Sequence, residues 1–219
     1  MNFVNKLDKS RGVILEMLES RGFDTSKYQS YSLSEIDIMF KNSPVKPTPD
    51  HMPLDMALEN KDGNRRCFVK YLFNSKIKFT NIQSLVMDMK EKYEITENDT
   101  VVIITKDKSY NKTSGSDTIL ESQLESILKN EQIFVQVFWL DTLIINIIRH
   151  EFVPEHRIIN LDERESILDK YDIKTYNQLP IILKTDPVAK FLGMRRGDVC
   201  EITRPSETSG LYISYRHCQ

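Results

Sequence analysis

Apolar and polar residues recur along this chain with two periods, and the changes of period mark its elements. From Val4 to Arg21, the residues Leu7, Ile14, Leu15 and Leu18 share one stripe of a 3.6-residue repeat, which predicts a helix. Gly22 stands where a left-handed residue closes such a helix. Ser32-Leu-Ser-Glu35 is a capping box and predicts a second helix carrying Ile36, Met39 and Phe40. Pro44, Pro47, Pro49 and Pro53 block helix and central strand, so 42–53 reads as an exposed connector. The period then falls to two. Leu54, Met56 and Leu58 alternate with Asp55, Ala57 and Glu59, Asp62-Gly63 offers a turn, and Arg66 to Phe73 gives the return strand of a hairpin.

Helical spacing returns at Ile82, Leu85, Val86 and Met89, and again at Leu120, Leu124, Ile127 and Leu128. Between and after these lie Val101 to Thr105 and Ile133 to Trp139, apolar runs that read as strands buried on both faces. The polar stretch 106–117 reads as a loop. Strands alternating with helices imply a small sheet covered by helices. Leu140 to Arg149 reads as a short apolar helix, with a domain boundary at its end.

Beyond it, Asp162 to Tyr171 predicts a helix and Leu179 to Leu183 a strand. Asp186-Pro187 has the chemistry of a helix start, aspartate capping and proline in the first turn, and Gly193 stops that helix. Arg195 to Asp198 is a turn. Val199 to Thr203 and Leu211 to Tyr215 are hairpin strands, with Pro205 blocking continuation of the first and Ser206 to Gly210 turning between them. Cys200, alternating with apolar neighbours, reads as core. The expected fold class is α+β in two domains, 1–149 and 150–219.

Composition narrows the function classes. Of 219 residues, 40% are apolar and 28% charged, an ordinary globular balance. No apolar run approaches the ~20 residues of a membrane-spanning helix, so no membrane partner is expected. Met1 to Ser10 lacks the apolar region of a signal peptide. Cys67, Cys200 and Cys218 are odd in number and far apart, which argues for a reducing compartment. Asn98-Asp-Thr100 and Asn111-Lys-Thr113 match the glycosylation pattern, and in such a compartment they are chance matches. Net charge is −2, and from His150 onward ten Lys/Arg face eleven Asp/Glu. A free-standing DNA binder carries a basic stripe, because phosphate contacts supply most non-specific affinity. This chain shows none, so any DNA contact is made while something else holds it there.

Three clusters in the C-terminal third are specific: His150-Glu-Phe-Val-Pro-Glu-His156, Thr185-Asp-Pro-Val-Ala-Lys-Phe-Leu-Gly-Met-Arg-Arg-Gly-Asp-Val199 and Arg204-Pro-Ser-Glu-Thr-Ser-Gly-Leu-Tyr-Ile-Ser-Tyr-Arg216. In this order and spacing the chain resembles the fifth subunit of eukaryotic-type DNA-directed RNA polymerases, a family with an archaeal counterpart. The resemblance implies a nuclease-like α/β jaw domain over 1–149 and a small mixed α+β assembly domain over 150–219. It implies a non-catalytic subunit that assembles with the largest polymerase subunit and other subunits and faces the downstream DNA duplex within the enzyme. It implies neither cofactor nor metal, and not a stand-alone homo-oligomer. The nucleus is the implied location, or host cytoplasm and virion for a viral version. Abundant Asn, Ile and Lys beside a divergent first domain would suit a large DNA virus or a fast-evolving eukaryote.

The interface residues carried over are His150, Glu151, Pro154, Glu155, His156, Asp186, Pro187, Arg195, Arg204, Pro205, Ser206, Glu207, Thr208, Ser209, Gly210, Tyr215 and Arg216. Arg204 leads them, since a planar, permanent cation suits bidentate contact with a partner. Lys106, Lys108, Tyr110 and Lys112 are carried over as facing downstream DNA.

Two chemical alternatives compete with this reading, and spacing disfavours both. His150 and His156 lie six apart with Pro154 between them, whereas a zinc helix needs imidazoles at i and i+4. A metal-dependent nuclease needs an acid on one strand and acid-x-Lys on the next. Asp55 and Lys70 occupy suggestive positions, but Phe68 stands where the second acid belongs. No catalytic triad or glycine-rich phosphate loop is legible.

Overall fold

The computed structural model describes residues 2–29, 31–43, 48–50, 52–73, 79–106, 116–208 and 210–219, with 79–80 and 116–119 described by backbone alone. These residues form two compact units, Met1–Ile145 and Asn146–Gln219. No described helix is long and apolar enough to cross a membrane.

The first unit is a four-stranded sheet in the order β1-β2-β3-β4, with β1 Met56–Glu59, β2 Arg66–Leu72, β3 Thr100–Thr105 and β4 Phe134–Trp139. β1 and β2 are an antiparallel hairpin, while β2, β3 and β4 run parallel. Every residue of β3 is buried, as an apolar central strand requires. On one face α3 (Phe79–Tyr93) and α4 (Ser116–Glu131) bury Ile82, Leu85, Met89, Leu124 and Ile127 against Phe68, Val101, Ile103 and Val137. On the other, α1 (Phe3–Ser20) buries Leu7, Ile14, Met17 and Leu18. Phe3 at its start packs on Phe40 of α2 (Leu33–Lys41) and on Phe73 at the end of β2, with ring centroids 4.8 and 5.4 Å away. The Ser32–Glu35 capping box opens α2, and Gly22, at φ +87°, supplies the left-handed residue just past α1.

Two ion pairs fix this sheet. Arg66 donates to the Asp99 carboxylate at 2.7 Å, and Asp99 also accepts the Thr96 amide and hydroxyl, which ties the start of β3 to β2. Burial alone would raise the Asp99 carboxyl, but these hydrogen bonds outweigh it and hold the group below the usual carboxylate range. The second pair, Lys70 with Asp55 at 2.6 Å, is buried on both sides.

The second unit is a four-stranded sheet in the order β5-β7-β8-β6, from β5 Glu155–Ile158, β6 Ile181–Ile182, β7 Val199–Ser206 and β8 Gly210–Cys218. On one face α6 (Pro187–Leu192) contributes Ala189 to a core with Met194, Cys200, Ile202 and Cys218. On the opposite face α5 (Leu161–Tyr171) places Ile167 with Ile159, Leu179 and Val199. Asp186 caps α6, accepting from Val188 at 2.8 Å, with Pro187 in the first turn and Gly193 at φ +74° closing it.

Four expectations change. Leu140 to Arg149 is not one helix but two 3-10 turns, Leu140–Leu143 and Ile147–Arg149. Its β-branched residues disfavour helix, and Asn146 turns extended to accept the Ile148 amide with its own side chain. The expected strand Leu179–Leu183 shrinks to Ile181–Ile182, because Pro180 has no N–H to extend the pairing with β8. Glu155–Ile158, for which the hydrophobic pattern predicts no element, forms β5 against β7. Finally, β7 does not stop at Pro205 but runs on to Ser206.

Removing one partner of a buried ion pair leaves an uncompensated charge. We expect Asp55→Ala to cost about 3–5 kcal/mol in urea unfolding, and Asp55→Leu with Lys70→Met to cost much less. Equal losses in the two variants would show that the charge is not what matters.

Candidate functional site

The predicted interface residues gather around the β7–β8 hairpin of the second unit. Its register runs from Val199 opposite His217 to Ser206 opposite Gly210. The Cys218 amide donates to Asp198 C=O at 2.7 Å, so by alternation the Cys200–Arg216, Ile202–Ser214, Arg204–Tyr212 and Ser206–Gly210 pairs exchange hydrogen bonds. Pro205, opposite Leu211, therefore directs its nitrogen away from β8, towards the edge where β5 has already stopped pairing at Thr203. No donor is needed there, and the strand runs through the proline.

Arg204 is exposed on β7 opposite Tyr212, and among the described residues its guanidinium has no hydrogen-bond or ion-pair partner. The Ser206 hydroxyl lies 3.3 Å from that of Thr208, Glu207 is exposed, and Gly210 takes φ +72° as the turn closes. Ser209 lies outside the described residues. Arg216, half-buried on β8, donates to Ile181 C=O at 3.3 Å. The Tyr215 hydroxyl donates to Glu201 at 2.9 Å, and burial together with that carboxylate pushes its phenol up to about 12.

The remaining predicted residues have local structural work. The His150 ring accepts the Phe152 amide at Nδ1, 3.3 Å away, within an exposed turn that includes Glu151. His156 Nδ1 lies 2.7 Å from Pro154 C=O, so it carries the proton and donates. Glu155 and His156 pair with Thr203 and Ile202 as the first residues of β5. Asp186 and Pro187 form the start of α6. The Arg195 amide donates to Asp198 at 2.6 Å, closing the turn before β7.

Sequence reading missed the groups that hold this surface. Arg157 on β5 bridges Glu163 at 2.9 Å and Glu201 at 3.1 Å. Arg164 on α5 donates to Asp198, to Gly197 C=O and to Ile159 C=O, and so pins the helix to the β7 turn. Arginines and acids separated by 6, 34 and 44 residues, outside the i,i+3 and i,i+4 spacing of a helix face, give no sequence signal. Also missed was the exposure of Leu211, Tyr212 and Ile213, at 65%, 56% and 42%. That signal was present: three consecutive large apolar residues on a strand cannot all face one core.

In the first unit, Lys106 follows β3 and sits exposed with its ammonium 4.7 Å from the centre of the Phe3 ring. Lys108, Tyr110 and Lys112 lie outside the described residues. Lys70 is consumed by Asp55 and by the backbone carbonyl of Asp50, while Phe68 packs on Tyr93 with ring centroids 5.4 Å apart. Among the described residues no cluster of three or more His, Cys, Asp or Glu side chains is placed to hold a metal. A lysine so neutralised cannot assist a scissile phosphate.

Comparison with known proteins gives the class first. Residues 145–218 match the family described as RNA polymerase Rpb5, C-terminal domain. Over 213 residues the chain is 31% identical to the DNA-directed RNA polymerases I, II, and III subunit RPABC1 of Caenorhabditis briggsae and 30% identical to that of Caenorhabditis elegans, in both cases covering 96% of this chain and 94% of the relative. It is 27% identical to the corresponding subunit of Dictyostelium discoideum over the full length of both chains. The chain belongs to this family, the Rpb5 or RPABC1 subunits of DNA-directed RNA polymerases.

One titration bears on the integrity of the second unit. His217 on β8 is buried, and burial, followed by the nearby cations Arg164 and Arg196, lowers its imidazole from the ordinary 6.5. The folded state therefore resists protonation that the unfolded chain accepts. Its contribution is complete above 6.5 and is lost as pH falls below that value towards the depressed folded pKa. We expect thermal unfolding temperature to fall from pH 7 to pH 5 more steeply in the native protein than in His217→Gln. Parallel profiles would exclude this group as the cause.

Proposed function

We propose that this chain is a non-catalytic subunit of a multisubunit DNA-dependent RNA polymerase. Similarity to RPABC1 subunits along nearly the whole chain carries this reading. The occupied Lys70 supports it on the negative side, since the residue that a nuclease would need is spent on folding. In this reading residues 1–149 form the jaw and 150–219 the assembly domain, close to the division into two compact units.

The assembly domain docks on the largest polymerase subunit through the distal β7–β8 hairpin and the turn at His150. Arg204 is the leading contact, because an exposed guanidinium without an internal partner is available for bidentate bonds to a carboxylate or backbone of another chain. The jaw faces downstream duplex, with Lys106 and the neighbouring Lys108, Tyr110 and Lys112 nearest to it. A near-neutral chain gains this contact by being held in the complex, not by its own affinity for DNA. The place of action is wherever that polymerase transcribes: the nucleus of a cell, or host cytoplasm and virion for a viral enzyme.

Affinity purification of the tagged chain from its native source, read by mass spectrometry, is expected to recover the large polymerase subunits in stoichiometric amounts. Their absence would overturn the proposal. Arg204→Ala should lower that recovery about tenfold, roughly the loss of one charge-assisted contact, and leave the circular dichroism of the isolated chain unchanged. Undiminished recovery would remove Arg204 from the interface. Lys106→Ala should leave assembly intact and weaken only the retention of downstream duplex by the assembled enzyme.

A further inference from the structure

The outer edge of β8 is paired only at its end. β6 meets it at His217 and Cys218, and Pro180, whose carbonyl accepts the His217 amide, has no N–H with which to continue. Residues opposite their β7 neighbours in non-hydrogen-bonded pairs direct their amide and carbonyl away from β7, and Ile213 and Tyr215 are two of these. Among the described residues no hydrogen bond reaches either outward pair. The side chains beside this edge, Leu211, Tyr212 and Ile213, are exposed on both faces of the strand. Natural sheets blunt an open edge with charges, bulges, proline or a covering helix. Here α5 covers only the end of the hairpin near Val199, and the distal half carries apolar residues instead of guards.

We infer that the β8 edge receives an extended segment of a partner polypeptide, which adds as a fifth strand beside Ile213 and Tyr215. This rests on the proposed place of the chain in a polymerase, and it names the mode of docking. Strand addition supplies backbone bonds to both residues, and alternate apolar side chains of the incoming segment cover Tyr212 on one face and Leu211 and Ile213 on the other. Arg204, opposite Tyr212, and Lys170, 5.5 Å from the centre of the Tyr171 ring beside Tyr215, bring positive charge to the two faces. An occupant carrying carboxylates among its apolar residues suits them. A second copy of this chain would bring the same cations to the same edge.

Hydrogen exchange of the assembled polymerase against the isolated chain tests this directly. The Ile213 and Tyr215 amides are expected to exchange at least about tenfold more slowly in the assembly, while the already paired Ser214 amide changes little. Ile213→Pro removes one outward donor and leaves the β7–β8 ladder its bonds, because the Ile213 amide does not face β7. It should reduce incorporation about tenfold. Ile213→Lys, which keeps the amide and adds an edge charge, should do likewise. Normal assembly with both amides unprotected would overturn the edge inference and leave the polymerase role standing. Protection that appears in the isolated chain with rising concentration and a dimer would replace the partner by a second copy. Failure of the unmutated chain to enter any polymerase would remove both readings. If Ile213→Pro unfolds, exchange in the unmutated chain still decides.

Discussion

The β7–β8 ladder carries the second unit. Both of its cores are assembled on the proximal half of this hairpin, Cys200, Ile202 and Cys218 facing α6, and Val199 facing α5. β5 pairs with β7 only as far as Thr203, and β6 with β8 only at His217 and Cys218. The hairpin is thus longer than everything that covers it. A ladder of antiparallel hydrogen bonds stabilises a two-stranded extension that no core supports, and the part that projects is where Arg204, Tyr212 and Ile213 stand in solvent. The surface available for recognition is a consequence of that mismatch in length.

The projection needs a stiff base, and polar contacts supply it. Arg164 joins α5 to the turn before β7 through Asp198 and the Gly197 carbonyl, while Arg157 and Tyr215 converge on Glu201 from neighbouring strands. Ion pairs at a surface contribute little each. Their geometric effect is larger, since a planar guanidinium with several acceptors permits few arrangements. His217 lies behind this network, which is why its protonation would disturb the unit that presents the hairpin.

In the first unit the lysine and aspartate that a nuclease would need serve only as part of the frame. Asp55 and Lys70 lie within hydrogen-bonding distance, as an active-site pair would, but they are shut away from solvent and bound to backbone as well as to each other. With Phe68 beside them in the core, the site has become packing. Chemistry-bearing residues in an expected position are informative only together with their exposure.

Much of the fold was legible in the sequence because its signals are local. The periods of α1 and α3, the Ser32–Glu35 capping box, Asp186-Pro187 and the glycines past α1 and α6 each specify an element through contacts within a few residues. The errors in the strands fell where pairing partners decide: Pro205 ends a strand unless its nitrogen faces an empty edge, and Pro180 shortens β6 because β8 needs a donor there. Of the candidate site, the sequence determined the residues and their order around the hairpin. Only the tertiary structure decided that Lys70 is neutralised and that Leu211 to Ile213 lie open. Exposure and pairing depend on which distant segments cover a strand, and that is a property of the assembled sheet, not of any stretch of its sequence.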